Sequence, residues 1–301
     1  MDSIWFLLYE WVVLYVLLLL GLFGSIVGTV LLSTKKMERL PARRIYRFLL
    51  ITDAIFLTSQ VAVDSMNHLE YNLRLASNII CKFGLYFNFS LCPISPWILV
   101  YISIDRYISI CFKQVQIIRK KWFQNLMILL IIVYNLCFYI PFLIFVELTT
   151  SLTNNTETNS SSFSFSCDIS REDLDYILYL SDLFNAALVP FILMLLASIF
   201  LVHFIVKSRR RLINLKTDKN RKKSLRDIHF AITILVLNFS FFIFSAPICL
   251  GNYLNVDDFL YSIFIYLFYL GYCINFYILA IFNSVFRKGL FHFFKCKRNI
   301  K

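Results

Sequence analysis

An aspartate, an arginine and a tyrosine stand side by side near the end of a long apolar stretch, in the segment SIDRYISICF at residues 103–112. An acid beside a base is suited to ion pairing, and an arginine guanidinium offers five hydrogen-bond donors to a partner. A soluble helix seldom buries such charges, because an unpaired charge in an apolar interior is costly. The chemistry of Asp105, Arg106 and Tyr107 therefore depends on the elements that position them.

Those elements are apolar throughout the chain. Hydrophobic residues make up 59% of the 301 positions and charged residues 16%, which excludes an ordinary soluble domain. Seven apolar stretches each hold about 20 or more residues, the length that spans a bilayer core as a helix. The sequence predicts an all-α membrane protein, with seven transmembrane helices and a short amphipathic eighth helix in one domain over residues 1–301. The predicted spans are 4–33, 45–69, 79–112, 122–147, 176–206, 227–254 and 259–283, and the amphipathic helix is 284–296.

The basic residues are divided unequally between the two sides of these spans. Of the 30 Lys and Arg residues, all but Arg74, Lys82 and Arg171 fall in the first, third and fifth loops or in the tail. The positive-inside rule then places the N-terminus outside and the C-terminus in the cytosol, and we expect a plasma-membrane protein. Attraction to anionic lipid accounts for the net charge of +12, so we expect no nucleic-acid partner.

The predicted outer face carries extracellular features. The hydrophilic loop 148–175 contains two glycosylation motifs, at Asn154 and Asn159. Of eight cysteines, Cys81 and Cys167 are the two at this face, and a bridge between them would close a long loop, worth about 4–5 kcal/mol in the chain-entropy model. We predict that disulfide, with two free thiols as the alternative. In the amphipathic tail, Cys296 is a predicted palmitoylation site, with a free cytosolic thiol as the alternative.

Several motifs lie in a fixed order along the predicted spans. They are Asp53 in the second span, the triplet at 105–107 ending the third, Pro190 and Pro247 in the fifth and sixth, Asn275 in the seventh, and Asn283 before FRKGLF. This ordered set resembles the rhodopsin-like (class A) G-protein-coupled receptors, and the resemblance covers nearly the whole chain. It implies a receptor that binds an extracellular ligand and activates a heterotrimeric G protein by opening its cytosolic face.

The resemblance gives the triplet a role at that face. It implies that Arg106 contacts the G protein in the active state. In the resting state, we expect Arg106 to pair with Asp105 or with Asp227, at the inner end of the sixth span. A pairing with Asp227 would hold the third and sixth spans together and create a two-state element that a ligand can bias. The alternative is that Arg106 extends to the lipid headgroups.

The resemblance also groups three polar residues in the middle of the bundle. It places Asp53 beside Ser95 and Asn275, an oxygen-rich set suited to a sodium ion, which is a hard cation. The alternative is a protonated Asp53 that is satisfied by hydrogen bonds. We expect no other metal and no other cofactor.

The resemblance places a ligand pocket in the outer halves of the second, third, fifth, sixth and seventh spans. Asn88 stands where amine receptors carry an acid, and Tyr269 stands where opsins carry the retinal lysine, so a biogenic amine and retinal are disfavoured. The acidic outer residues favour a short basic peptide, as in a neuropeptide receptor, although solvated loop acids are the alternative. The predicted pocket residues are Asp64, Asn88, Phe89, Cys92, Asp182, Asn252, Tyr261 and Tyr269.

Four departures from the family pattern raise a second hypothesis. Ser198 replaces the fifth-span tyrosine, Ser245 replaces the sixth-span tryptophan, and Phe276 and Leu279 replace the proline and tyrosine of the seventh span. They favour a non-signalling seven-helix scaffold, decoy or orphan receptor. We expect no enzyme activity, because the sequence contains no HExxH, GxSxG or Gly-rich phosphate loop.

Overall fold

The computed structural model describes residues 2–40, 42–68, 75–111, 120–155, 160–169, 171–213, 218–251 and 256–298. Within them, seven helical segments are long and apolar enough to cross a membrane, which confirms the predicted seven-helix architecture. In chain order, these spans are Trp11–Ser33, Arg43–Ser65, Asn78–Ser109, Lys121–Phe145, Asp173–Lys207, Ile228–Cys249 and Phe259–Phe282.

Several spans contain more than one helical element. The first span lies in α1 (Asp2–Ser33), the second in α2 (Arg43–His68), and the third in α3 (Asn78–Leu91) and α4 (Ile94–Cys111). The fourth comprises α5 (Lys121–Phe138) and α6 (Ile140–Phe145). The fifth comprises α7 (Glu172–Asp182), a π-helical segment (Leu183–Leu188) and α8 (Val189–Ile213). The sixth lies in α9 (Asp218–Gly251) and the seventh in α10 (Asp258–Phe282), and the last helix is α11 (Ser284–Arg298).

The third span is interrupted at Cys92 and Pro93, where the sequence predicts a continuous helix. The reason lies in two prolines, because neither Pro93 nor Pro96 has a backbone N–H to donate. The carbonyl of Cys92 would normally accept from residue 96, and it accepts from the Tyr272 hydroxyl instead, at 3.0 Å. The helix resumes when the Trp97 amide donates to the carbonyl of Pro93, at 3.1 Å. A side chain of the seventh span thus satisfies the break in the third.

The loop after the fourth span contains a β-hairpin, where the sequence predicts only a hydrophilic loop. We name the face of the bundle that carries this hairpin the outer face and the opposite face the inner face. Strands β1 (Val146–Asn155) and β2 (Ser160–Ile169) pair antiparallel over their whole length, with Leu148 opposite Cys167. Cys167 is joined to Cys81 at the outer end of the third span, with 5.7 Å between their Cα atoms. The Leu148 amide also donates to Oδ1 of Asn78, at 3.2 Å. The disulfide and this hydrogen bond hold the hairpin against the outer end of α3.

The interior of the bundle is apolar, and so is its periphery. The largest buried cluster contains residues of all seven spans, including Leu50, Ile98, Leu201 and Leu279. A second cluster lies between the first, second and seventh spans, and a third lies beneath the hairpin. Large apolar side chains also point outward, with Leu19 and others strongly exposed. Such a surface is expected where lipid is the solvent.

Helix α11 packs against the inner end of the first span and the segment that follows it. It begins after Asn283, whose Oδ1 accepts from the backbone amides of Val285 and Phe286, both at 3.1 Å. Such capping satisfies amides that the first helical turn cannot. Gly289 permits close packing, because a Cβ atom there would overlap the end of the Met37 side chain. The predicted range of 284–296 corresponds to this helix.

Candidate functional site

A cavity of about 840 Å³ lies between the outer halves of the second, third, fifth, sixth and seventh spans. This volume falls within the range of about 300–1,000 Å³ that is typical of small-ligand sites. Aromatic side chains form much of the wall, including Phe56 and Phe268, which also pack against each other at a centroid distance of 6.0 Å. The cavity is therefore large enough for a ligand and has an apolar, aromatic lining.

Six of the eight predicted pocket residues line this cavity. They are Asn88, Phe89, Cys92, Asp182, Tyr261 and Tyr269. Asp64 lies beside it, because its Oδ2 accepts from the hydroxyl of Tyr269 at 2.8 Å. Asn252 lies outside the described residues.

Several lining residues were not predicted from the sequence. Gln60 is one of them, and its side chain exchanges hydrogen bonds with Asn88 at 2.9 and 3.2 Å, which fixes both amides at the cavity wall. Gln60 lies four residues before Asp64, so helical spacing would have placed both on one face. Asp175 and Tyr179 were also missed, although with Asp182 they recur at positions i, i+4 and i+7 of the fifth span. Helical periodicity was thus the overlooked signal.

Two carboxyl groups of the fifth span give the cavity its charge. Asp182 accepts a hydrogen bond from the hydroxyl of Tyr139, at 2.5 Å. One carboxyl oxygen of Asp175 is buried and has no hydrogen-bond partner among the described residues. None of the described lining side chains is Lys, Arg or His. The electrostatics of the wall therefore favour a positively charged group.

A buried amide stands behind this acidic wall, in the π-helical segment. The Nδ2 of Asn185 donates to Asn135 at 3.1 Å and to the hydroxyl of Tyr139 at 3.3 Å. Its Oδ1 accepts from the Trp97 indole at 3.1 Å and from the Tyr134 hydroxyl at 3.0 Å. Both donors and both lone pairs of the amide are thus used, as a buried polar group requires. This network joins the third, fourth and fifth spans beneath the cavity.

The three polar residues predicted for the middle of the bundle do meet. Asp53 is fully buried, and its two oxygens accept separately from the Ser95 hydroxyl at 2.6 Å and from the Asn275 amide at 2.8 Å. Both donors are neutral. The group therefore combines one carboxyl, one hydroxyl and one amide, the oxygen-bearing types that a hard cation prefers.

At the inner end of the third span, Arg106 forms an ion pair with its neighbour Asp105, with 2.7 Å between Nη2 and Oδ2. Both side chains are almost completely buried. The Tyr107 ring points another way and packs on Phe200 of the fifth span, at a centroid distance of 5.0 Å. The side chain of Asp227 lies outside the described part of the chain, although its backbone belongs to α9.

The four departures from the family pattern all have defined surroundings. Ser245 lines the cavity. Ser198 accepts a hydrogen bond from Asn238 of the sixth span, at 3.0 Å. Phe276 and Leu279 are both buried in the core. Ser198, Phe276 and Leu279 therefore take part in the contacts between spans, whereas Ser245 faces the cavity.

The remaining predicted sites lie at the two faces. Asn154 lies in β1 opposite Ser161, near the tip of the hairpin, whereas Asn159 lies outside the described residues. Cys296 lies in α11, and its side chain is outside the described part.

A family model described as 7 transmembrane receptor (rhodopsin family) matches residues 25–283, from within the first span to the end of the seventh. No curated protein matches the sequence.

Proposed function

The chain belongs to the rhodopsin family of seven-transmembrane receptors, and on that premise we propose that it binds an extracellular ligand and activates a heterotrimeric G protein. The observation that carries this proposal is that one span contributes residues both to the cavity and to the inner ion pair. The third span contributes Asn88 and Cys92 to the cavity and Arg106 to the buried inner ion pair. A ligand at one end and an effector at the other would therefore bias the same element.

The ligand that the cavity supports best is a short basic peptide. Asp175 and Asp182 supply carboxyl groups on one wall, and the reciprocal Gln60–Asn88 pair supplies amide donors and acceptors on another. The aromatic lining would bury an apolar or aromatic side chain beside the charged one. Charged hydrogen bonds in such a site contribute about 1.5–3 kcal/mol each.

The G protein would bind at the inner face. Arg106 is buried beside Asp105 in this conformation, so contact with a partner requires that the inner ends of the spans separate. In the proposed resting state, Asp227 adds a second carboxylate partner for Arg106 from the sixth span. Ligand binding would favour the state in which these interactions are broken, by its differential affinity for the two states.

The first experiment measures G-protein activation in cells that express the chain, without ligand and then with short peptides rich in Lys and Arg. Arg106→Ala is the control at the inner face, and surface expression is quantified for every variant. We expect a peptide response that Arg106→Ala abolishes. Silence across all G-protein classes, from a chain present at the surface, would contradict the proposal.

The acidic wall has its own variants. Asp175→Asn and Asp182→Asn should each weaken the potency of a basic peptide about tenfold or more, because a charged hydrogen bond is lost. Asp173→Asn is the matched control, since Asp173 is exposed on the same helix and does not line the cavity. Equal potency in all three variants would exclude the acidic wall as the binding determinant.

The alternative is a non-signalling scaffold, decoy or orphan receptor, and the seventh span favours it. Phe276 and Leu279 are buried apolar residues at positions that the family pattern gives to proline and tyrosine. A seventh span that is held by apolar packing would change less readily between the resting and active states. Peptide binding without G-protein activation, in a chain that reaches the surface, is the outcome that this alternative requires.

Four further proposals concern membrane placement, two covalent modifications and a sodium ion. We propose a plasma-membrane protein with its N-terminus outside, glycosylated at Asn154 and Asn159 and palmitoylated at Cys296. Glycosidase treatment should increase the electrophoretic mobility of the chain. The variant that carries both Asn154→Gln and Asn159→Gln should show no such change. Hydroxylamine-sensitive acyl labelling should disappear in Cys296→Ala.

Asp53, Ser95 and Asn275 would hold a sodium ion, which would supply a positive charge beside a fully buried carboxyl group.

A further inference from the structure

A small polar cluster joins the third, fifth and sixth spans in the inner half of the bundle. It consists of Asn238, Ser103 and Ser198, and we name it the Asn238 cluster. The two N–H groups of the Asn238 amide donate to the Ser103 hydroxyl at 2.9 Å and to the Ser198 hydroxyl at 3.0 Å. The Ser103 hydroxyl in turn lies 3.2 Å from Oδ1 of Asn238. One side chain of the sixth span thus binds two neighbouring spans at once.

The surroundings make these hydrogen bonds costly to lose. Ser103 is fully buried, and Asn238 is 6% exposed. Their helix neighbours Ile102 and Leu237 are buried apolar residues of the same interior cluster. An amide that loses its partners in such a place has neither protein nor water to replace them, because lipid offers no hydrogen bonds.

The cluster is also close to the residue that would contact the G protein. Ser103 lies three residues before Arg106, so the two are separated by roughly 4.5 Å along the helix axis. An outward movement of the sixth span that includes Asn238 draws this amide away from Ser103. Such a movement is what opening of the inner face requires.

We propose that the Asn238 cluster is a neutral hydrogen-bonded restraint that holds the sixth span in the resting position. The inference rests on the proposed function, because it assigns the cluster to the switch that couples ligand to G protein. It differs from the Arg106–Asp227 pairing in being uncharged and in including the fifth span. The Ser198 hydroxyl, at one of the departures from the family pattern, acts as its fifth-span acceptor.

The test removes the cluster and measures the position of the sixth span directly. Spin labels carried by genetically encoded residues at positions 121 and 229 leave the native cysteines in place. Lys121 and His229 are both exposed, one at the start of the fourth span and the other near the inner end of the sixth. Pulsed electron resonance then gives the distance distribution between the labels, with no G protein required.

Asn238→Leu keeps the side-chain size but removes both interhelical bonds. Hydrogen bonds between membrane helices change an equilibrium constant about threefold on average. We therefore expect Asn238→Leu to raise the population with the longer distance about three- to tenfold, and to raise ligand-independent G-protein activation in parallel. Ser198→Ala deletes one half-buried hydroxyl and disturbs the fold least, and it should raise the population with the longer distance about threefold. Ser198→Thr keeps the hydroxyl and should therefore give the same distance distribution as the wild type.

Ser240→Ala is the matched control, because the Ser240 hydroxyl is buried in the same helix but donates to the carbonyl of Leu237 within that helix, at 2.8 Å. It should leave the distances unchanged. Wild-type distances in both Asn238→Leu and Ser198→Ala would overturn the proposal, even if Arg106-dependent signalling is present. Shifted distances without G-protein activation in any variant would support the cluster and contradict the proposed function.

Discussion

Phe276 of the seventh span packs into a groove that exists because Gly28 of the first span has no side chain. A Cβ atom at Gly28 would lie 2.9 Å from Cδ2 of Phe276 and 2.4 Å from Cδ1 of Leu50. One turn earlier, a Cβ atom at Gly24 would lie 2.9 Å from Cδ1 of the same ring. Glycines four residues apart allow close helix packing in membranes, and here the partner is an aromatic ring of the same chain.

Gly28→Ala should therefore destabilise the bundle by about 1–3 kcal/mol, as overpacking of a filled core does. The measurement is thermal denaturation of the purified protein in detergent, followed by loss of the monomer in size-exclusion chromatography. Val30→Ile is the matched control, since Val30 lies on the lipid-facing side of the same helix and also gains one carbon. Equal denaturation midpoints for the wild type and Gly28→Ala would show that the groove accommodates an added methyl group.

Removing the Cys81–Cys167 bridge should destabilise the protein by about 4–5 kcal/mol in the chain-entropy model, because the bridge spans 86 residues of sequence. Cys81→Ala, Cys167→Ala and the double variant should lose the same amount, since each removes the same bond. Thermal denaturation in detergent measures the loss, and Cys137→Ala, which removes an exposed free thiol, is the control. Additive losses in the double variant would indicate that the two cysteines act separately.

Sodium should stabilise the protein through Asp53. At a concentration ten times its dissociation constant, a bound ion adds about 1.4 kcal/mol to the folded state. We expect a higher denaturation midpoint in sodium chloride than in choline chloride at equal ionic strength. Asp53→Asn should abolish the difference, because the carboxyl group that balances the ion is gone. The same sodium effect in Asp53→Asn would place the ion elsewhere.

Asp227→Ala should raise ligand-independent G-protein activation about tenfold, because a charge-assisted hydrogen bond to Arg106 is lost from the resting state. Asp218→Ala is the matched control. It removes an acid from the same helix nine residues earlier, which is two and a half turns and therefore the opposite face. A baseline that does not change in Asp227→Ala would leave Asp105 as the resting partner of Arg106.

The number of spans was predicted from the sequence, and six of the eight predicted pocket residues line the cavity. Span number follows from apolar length and the thickness of the bilayer, which are local properties. The pocket residues and the Asp53 group followed from the family resemblance, and Asp53, Ser95 and Asn275 do lie together. What the sequence analysis missed on the fifth span, Asp175 and Tyr179, was present in the helical spacing.

Apart from the Asp53 group, the contacts between spans were decided by the tertiary structure. Asn238 and Ser103 are 135 residues apart, and the Tyr272 hydroxyl that satisfies the carbonyl of Cys92 is 180 residues away. In water, the apolar stripe of a helix shows which face turns inward. In a bilayer the outward face is apolar as well, so the sequence determines that a helix spans the membrane but does not reveal its rotation. Only the packed bundle fixes which side chains meet.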